Sequence, residues 1–228
     1  MQPANDTIVG AMKHDLDKRI EAAIAGKDWI KAHDLAAGAI RLLNGMGDVA
    51  AYNKQLRDIE NAGYKTAVAA QGKLQQDELQ QQQELLKQFA GLNEKWLTDK
   101  VKQLEQNAQH AKTPQEAQMN KRVLSYLEFV GYMYTDHALK AGDLASAGKC
   151  LDVFRKANPR NADGGYLAAV LHMQQGDRAR AIASLNEAAV LGYDEVGKLL
   201  TDPAFSSIAE DEGFKKVVEK VRANYTTK

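Results

Sequence analysis

The feature that most constrains the fold of this chain is an internal repeat with a period of 34 residues. When residues 131–151 are moved forward by 34 positions, identical residues coincide at Gly131/Gly165, Tyr132/Tyr166, Gly142/Gly176, Asp143/Asp177, Ala145/Ala179, Ala147/Ala181 and Leu151/Leu185. Self-similarity at a fixed period of this length is typical of arrays of helical hairpins. Each copy predicts a helix, a short Gly-Asp turn and a second helix, with small Ala147 and Ala181 where the helices cross.

The rest of the sequence also predicts helices. Only 4 prolines occur in 228 residues, and no stretch alternates apolar and polar residues as a half-buried strand does. We expect helices from about residue 6 to 25, from 28 to 43 with Asp28 as N-cap, and from 49 to about 61, with a turn at 44–48. The second of these carries one apolar stripe formed by Trp29, Ala32, Leu35, Ala36, Ala39 and Leu43.

Residues 64–111 allow more than one interpretation. The stretch LQQDELQQQQELLKQF favours helix, and its apolar residues are Leu74, Leu79, Leu85, Leu86 and Phe89. The segment forms one long helix, or two antiparallel helices that separate near Gly91 to Asn93, which we favour; a disordered glutamine tract is the remaining alternative. The next helix begins at Pro114 and is either continuous to Ala141 or bent at Gly131.

Composition limits the classes of partner and compartment. Thirty basic residues balance 30 acidic residues, so there is no net positive field to hold nucleic acid. No apolar run is long enough to insert into a membrane. The single cysteine, Cys150, excludes an internal disulfide and a multi-cysteine zinc site. The start of the sequence lacks a signal peptide, which fits a soluble cytoplasmic protein, or a periplasmic or exported one if Met1 replaces a removed signal peptide.

Three motifs resemble ligand sites but lack essential residues. Gly142, Gly148 and Lys149 suggest a phosphate loop, yet five residues separate the glycines and Cys150 stands where a hydroxyl residue is required. The loop NPRNADGG lacks both end ligands of a calcium loop, and we interpret it as a turn in which Asp163 caps the next helix. The histidines show no zinc-ligand spacing, although His137 and His172 could approach each other. We therefore expect no metal site, no cofactor and no catalytic residue.

The stretches YMYTDHALKAGDLASAGKCLDVFRKANPRNA and YLAAVLHMQQGDRARAIASLNEAAVLGYDE resemble the tetratricopeptide repeat (TPR) family. The Gly-Asp turn, the downstream alanine and the closing Pro159 carry the resemblance, which is clearest over residues 128–195; the second copy has Tyr193 in place of the closing proline. AIAGKDWIKAHDLAAGAIRLL resembles a degenerate unit, and HAKTPQEAQMNKRVL a further one. The tail is similar to segments that close such arrays, with Phe205, Ile208, Phe214, Val217 and Val221 covering the last repeat.

This resemblance implies an all-α, TPR-like α-solenoid of antiparallel helix pairs, with longer helices in the middle of the chain. It divides the chain into an N-terminal helical region (1–112), TPR-like repeats (113–195) and C-terminal capping helices (196–228). In the family, the first helix of each unit lines the concave, partner-binding surface. The matching positions here are Phe129, Tyr132, Asp136, Leu139, Asp163, Tyr166, Val170 and Met173.

We therefore expect a non-enzymatic interaction module or scaffold that binds a protein or peptide partner in this groove. Family members that clamp a carboxylate carry Lys and Asn at positions held here by Tyr132, Asp136, Tyr166 and Val170, so that ligand is not expected. Two alternatives remain. The chain is a structural protein that forms a homodimer through residues 64–111, or a helical enzyme whose site the sequence does not reveal.

Overall fold

The computed structural model describes residues 2–44 and 49–226. Over these residues the protein is all-helical and contains no β-strand. The chain divides into two compact units, residues 1–76 and 77–228. The turn predicted at 44–48 lies outside the described residues from position 45 onward.

The first unit contains three helices and the start of a fourth: α1 (Gln2–Ala25), α2 (Trp29–Leu43), α3 (Ala50–Ile59), a π-helical turn (Glu60–Tyr64) and α4 (Lys65–Ala90). The predicted stripe of α2 is confirmed, since Ala32, Ala36, Ala39 and Leu43 are buried and Trp29 and Leu35 pack against the same core. Its alanines let α1 and α3 pack closely on α2. Tyr52 of α3 is buried, and its hydroxyl donates a 2.7 Å hydrogen bond to Asp17 Oδ1.

Over the described residues, the second unit contains the end of α4, seven further α-helices and one 3₁₀ helix: α5 (Glu94–Gln109), α6 (Pro114–Ala141), α7 (Leu144–Ala157), α8 (Asp163–Gln174), α9 (Arg178–Val190), α10 (Val196–Thr201), the 3₁₀ helix (Pro203–Ile208) and α11 (Glu212–Thr226). α4 ends at Ala90 and α5 begins after Asn93, so the predicted separation into two helices is confirmed. α6 is one continuous helix with Pro114 in its first turn and Thr113 as N-cap.

From α5 to α9, consecutive helices pack as neighbours. α6 contacts α5 and α7, α8 contacts α7 and α9, and α6 also reaches α8. Two glycines permit close approaches between the helices of a hairpin. A Cβ at Gly165 would lie 2.7 Å from the Ser184 carbonyl oxygen of α9, and one at Gly131 would lie 3.2 Å from Phe154 Cβ of α7. These two positions are 34 residues apart, so the repeat places a glycine at the same crossing in both hairpins.

Four helix-to-helix turns share one backbone design. In each, a residue with positive φ precedes an Asp or Asn whose side chain accepts the N–H three residues on, and whose own N–H bonds back to the carbonyl five residues earlier. The pairs are Lys27-Asp28, Leu92-Asn93, Gly142-Asp143 and Gly176-Asp177. The predicted Gly-Asp turns are confirmed, and so is the Asp28 cap. The two turns without glycine show that the capping side chain, rather than glycine, is the constant element.

The C-terminal segment covers α8 and α9. The 3₁₀ helix packs against α8, and α11 packs against α9. The five predicted tail residues are all buried and belong to the same core cluster as α8 and α9: Phe205, Ile208, Phe214, Val217 and Val221.

Candidate partner-binding site

The eight predicted groove residues divide into accessible and buried side chains. Phe129 is 58% exposed, and Tyr132, Asp136, Asp163 and Met173 are partly buried. The remaining three are core residues: Leu139, Tyr166 and Val170 are 4%, 3% and 8% exposed. The expected exposed groove across α6 and α8 is therefore interrupted, because Leu139 of α6 and Tyr166 and Val170 of α8 are buried.

Tyr166 is buried because the C-terminal segment lies over it. Its ring stacks on Tyr193 with centroids 5.3 Å apart and meets Phe205 edge-on at 5.9 Å. Its hydroxyl donates a hydrogen bond to Asp202, and Lys198 Nζ lies 4.2 Å from the ring centroid. Burial, together with this hydrogen bond, raises the pKa of Tyr166. The sequence analysis predicted that the tail covers the last repeat but did not connect the tail with Tyr166.

The α6 half presents an apolar surface. Phe129 and Met133 are 58% and 48% exposed and lie four residues apart, on one face of the helix. Tyr132 lies beside them, and its ring contacts buried Phe154 edge-on at 5.9 Å. The sequence prediction missed Met133 because it named only one position per helical turn, although the spacing of Met133 from Phe129 places both on the same stripe.

These side chains border a cleft of about 320 Å³. It is lined by Ser125, Glu128, Phe129, Tyr132, Met133, Phe154, Asn161 and Asp163. The cleft therefore lies between the exposed face of α6 and the loop that connects α7 and α8. We call this region the α6 cleft.

The loop side of the α6 cleft is held by amide hydrogen bonds. Glu128 Oε1 accepts from Asn158 Nδ2 at 2.9 Å and from Asn161 Nδ2 at 2.7 Å. Asn161 Oδ1 in turn accepts the Asp163 N–H at 2.9 Å. The prediction that Asp163 caps α8 is therefore wrong: Asp163 is the first residue of the helix, and Asn161 accepts its N–H instead. This leaves the Asp163 carboxylate beside the cleft rather than folded onto the backbone.

Asp136, further along α6, has a different environment. Its carboxylate accepts a 2.7 Å hydrogen bond from Lys140 Nζ, one turn away. The hydrogen bond and the charge of Asp136 raise the pKa of Lys140. Asp136 is thus already paired within the chain, one turn from its partner.

The other residues that the sequence suggested as ligand-binding candidates lie in turns or within helices. Gly142 takes φ 73° in the turn after α6, while Gly148 and Lys149 lie within α7. Cys150 is buried, and burial raises the pKa of its thiol to about 11. Within the part of the chain that the structure describes, no three His, Cys, Asp or Glu side chains are grouped as metal ligands. None of the described helices combines the length and apolar character needed to cross a membrane.

A scan against protein-family models and searches of curated proteins and solved structures each return no match for this chain.

Proposed function

We propose that this chain is a non-enzymatic interaction module of TPR-like architecture, in which hairpins α6–α7 and α8–α9 are successive repeats and the α6 cleft binds a segment of a partner protein. The observation that carries the proposal is the exposure of Phe129 and Met133 on one helix face beside a cleft whose floor is aromatic. A folded chain gains nothing in stability from leaving two large apolar side chains in water next to an unfilled cleft.

The architecture is supported by the repeated local features of the two hairpins. The same glycine crossing, the same positive-φ turn and the same aspartate cap recur at a spacing of 34 residues. In such arrays the first helix of a repeat is the recognition helix, which assigns that role to α6. The α8 surface is covered by the tail, so the partner binds at α6 alone.

Peptide selection tests this proposal. Random 12-residue peptides displayed on phage are selected on the immobilised full chain, and their affinities are then measured by fluorescence anisotropy. Phe129→Ser combined with Met133→Ser should weaken binding by about tenfold or more, because apolar anchors in a cleft dominate binding energy. A matched control, Val190→Ser with Leu200→Ser, also removes two exposed apolar side chains, 80% and 55% exposed, from outside the cleft.

The control should bind as wild type does, and both variants should retain the wild-type circular dichroism spectrum. Equal binding by all three proteins would refute the proposed site.

Tyr166→Ala gives a further contrast. Because its ring is part of the core, this substitution should destabilise the fold by about 3–5 kcal/mol rather than alter binding selectively.

A homodimer through residues 64–111 is the second candidate. Leu85 and Phe89 are buried within the second unit, so they are not the dimer contacts. Leu79 and Leu86, two turns apart on α4, are 56% and 40% exposed and favour self-association through this helix. Leu79→Glu with Leu86→Glu should then convert a dimer into a monomer in light scattering. A wild-type protein that is already monomeric at high concentration contradicts this candidate.

A further inference from the structure

The α6 cleft has one apolar side and one acidic side. Phe129, Tyr132 and Met133 form the apolar side, and the carboxylates of Glu128 and Asp163 lie on the side of the α7–α8 loop. Because Asn158 and Asn161 hold the Glu128 carboxylate by two amide hydrogen bonds, its position is fixed before any partner arrives. Fixed polar groups beside an apolar floor are the usual basis of orientation and specificity in a binding site.

Neither carboxylate is neutralised by the chain itself. Within residues 2–44 and 49–226, no ion pair involves Glu128 or Asp163. Arg155 comes close, since its Cγ lies 3.1 Å from the position of a Cβ on Gly164, but its guanidinium pairs with Glu187 of α9. The contrast with Asp136, which has Lys140, sets the two cleft carboxylates apart.

Two partly buried negative charges next to the exposed ring of Phe129 and the partly buried ring of Tyr132 are complementary to one class of side chain. A lysine or arginine can lay its aliphatic stem along Phe129 and Tyr132 and bring its charged end to Asp163. The ion pair would form at the edge of an apolar cleft, where screening is weaker than at an open surface. With about 320 Å³, the cleft is at the small end of ligand pockets and has room for one or two side chains.

We infer that the α6 cleft recognises a partner segment carrying a lysine or arginine within about one helical turn of an aromatic or aliphatic anchor. The anchor packs on Phe129 and Met133, and the basic residue pairs with Asp163 and Glu128. This inference rests on the proposed function and specifies the chemistry of its partner.

The test uses the peptides selected on the full chain. Their sequences should be enriched in lysine or arginine at a fixed spacing from an apolar residue. Asp163→Asn should weaken the best peptide by about 5- to 10-fold at low salt and make its affinity less dependent on NaCl. Glu128→Gln, which retains an acceptor for Asn158 and Asn161, should act in the same direction. Asp152→Asn, on the exposed face of α7 outside the cleft, is the matched control and should have no effect.

A double-mutant cycle tests whether Asp163 and the basic residue of the peptide interact directly. When the basic residue of the peptide is changed to glutamine, Asp163→Asn should cause little further loss, because the two changes remove one interaction. Selected peptides without a basic preference, or full affinity for Asp163→Asn, would overturn the inference.

The control variants separate this inference from the proposed function. If Phe129→Ser with Met133→Ser abolishes binding while Asp163→Asn leaves it unchanged, the cleft binds a partner but does not recognise a basic residue in it. If neither variant matters, both proposals fail. A wild-type dimer that becomes a monomer on Phe129→Ser with Met133→Ser would show that a second copy fills the cleft, which also overturns the inference.

Discussion

Cys150 shows how a single position can be predicted from its place in a repeat. The sequence places it on the second helix of a hairpin, where a small buried residue is expected, and the structure has it 2% exposed on α7. Asp143 belongs to the Gly-Asp turn that the repeat predicted, and in the structure it is the N-cap of α7. Hydrogen bonds from the Ser146 hydroxyl and backbone lower the pKa of the Asp143 carboxyl. Local contacts of this kind can be predicted from the sequence because the two partners lie within a few residues of each other.

The Cys150 thiol should react slowly in the folded protein. With a pKa of about 11, its thiolate fraction at pH 8 is on the order of 100-fold below that of an exposed cysteine, and access is restricted as well. The rate of modification by a disulfide reagent such as DTNB, measured with and without 6 M guanidinium chloride, checks this. Native labelling as fast as that of the unfolded chain would contradict the burial of α7 against its neighbours.

At the scale of elements, the helices and their ends follow from sequence better than the distances between helices. The sequence predicts the Asp28 cap, the Gly-Asp turns at Asp143 and Asp177 and the separation near Gly91 to Asn93, since each depends on a local hydrogen-bond pattern. The close crossings were attributed to Ala147 and Ala181, which are indeed fully buried. Gly131 and Gly165 were matched as repeat positions, but the atoms that fill the space at each glycine belong to another helix, and the sequence does not name them.

Gly165→Ala should destabilise the second unit. The added Cβ would lie 2.7 Å from the Ser184 oxygen and 2.8 Å from the Ala188 nitrogen, both backbone atoms, so α8 and α9 must move apart. We expect a loss of about 1–3 kcal/mol in the free energy of unfolding, measured by urea denaturation. Gly148→Ala is the matched control, because its nearest neighbour is the Leu171 side chain at 3.9 Å.

The control should be neutral or stabilise the protein by up to about 1 kcal/mol, since alanine is the better helix former. Equal effects at the two glycines would show that the crossing of α8 and α9 is not as close as the structure has it.

For the molecule as a whole, function depends on which surface the chain leaves uncovered. The family resemblance implied two equivalent recognition helices, and the structure gives them different environments. The tail covers Tyr166 of α8, whereas α6 retains exposed Phe129 and Met133. This asymmetry could not be predicted, because the contact of Tyr166 with Asp202 and Phe205 joins residues more than 30 positions apart. The sequence predicted the eight positions from a pattern that treats both repeats alike.

The most direct test of the α6 cleft is the methyl resonance of Met133 in a chain labelled with ¹³C-methyl methionine. Titration with a peptide selected on the wild-type protein should shift the Met133 signal in proportion to occupancy. Met119, also on α6 but buried at 6% exposure, should stay in place. A Met133 signal that does not move when the peptide is saturating would contradict the assignment of α6 as the recognition helix.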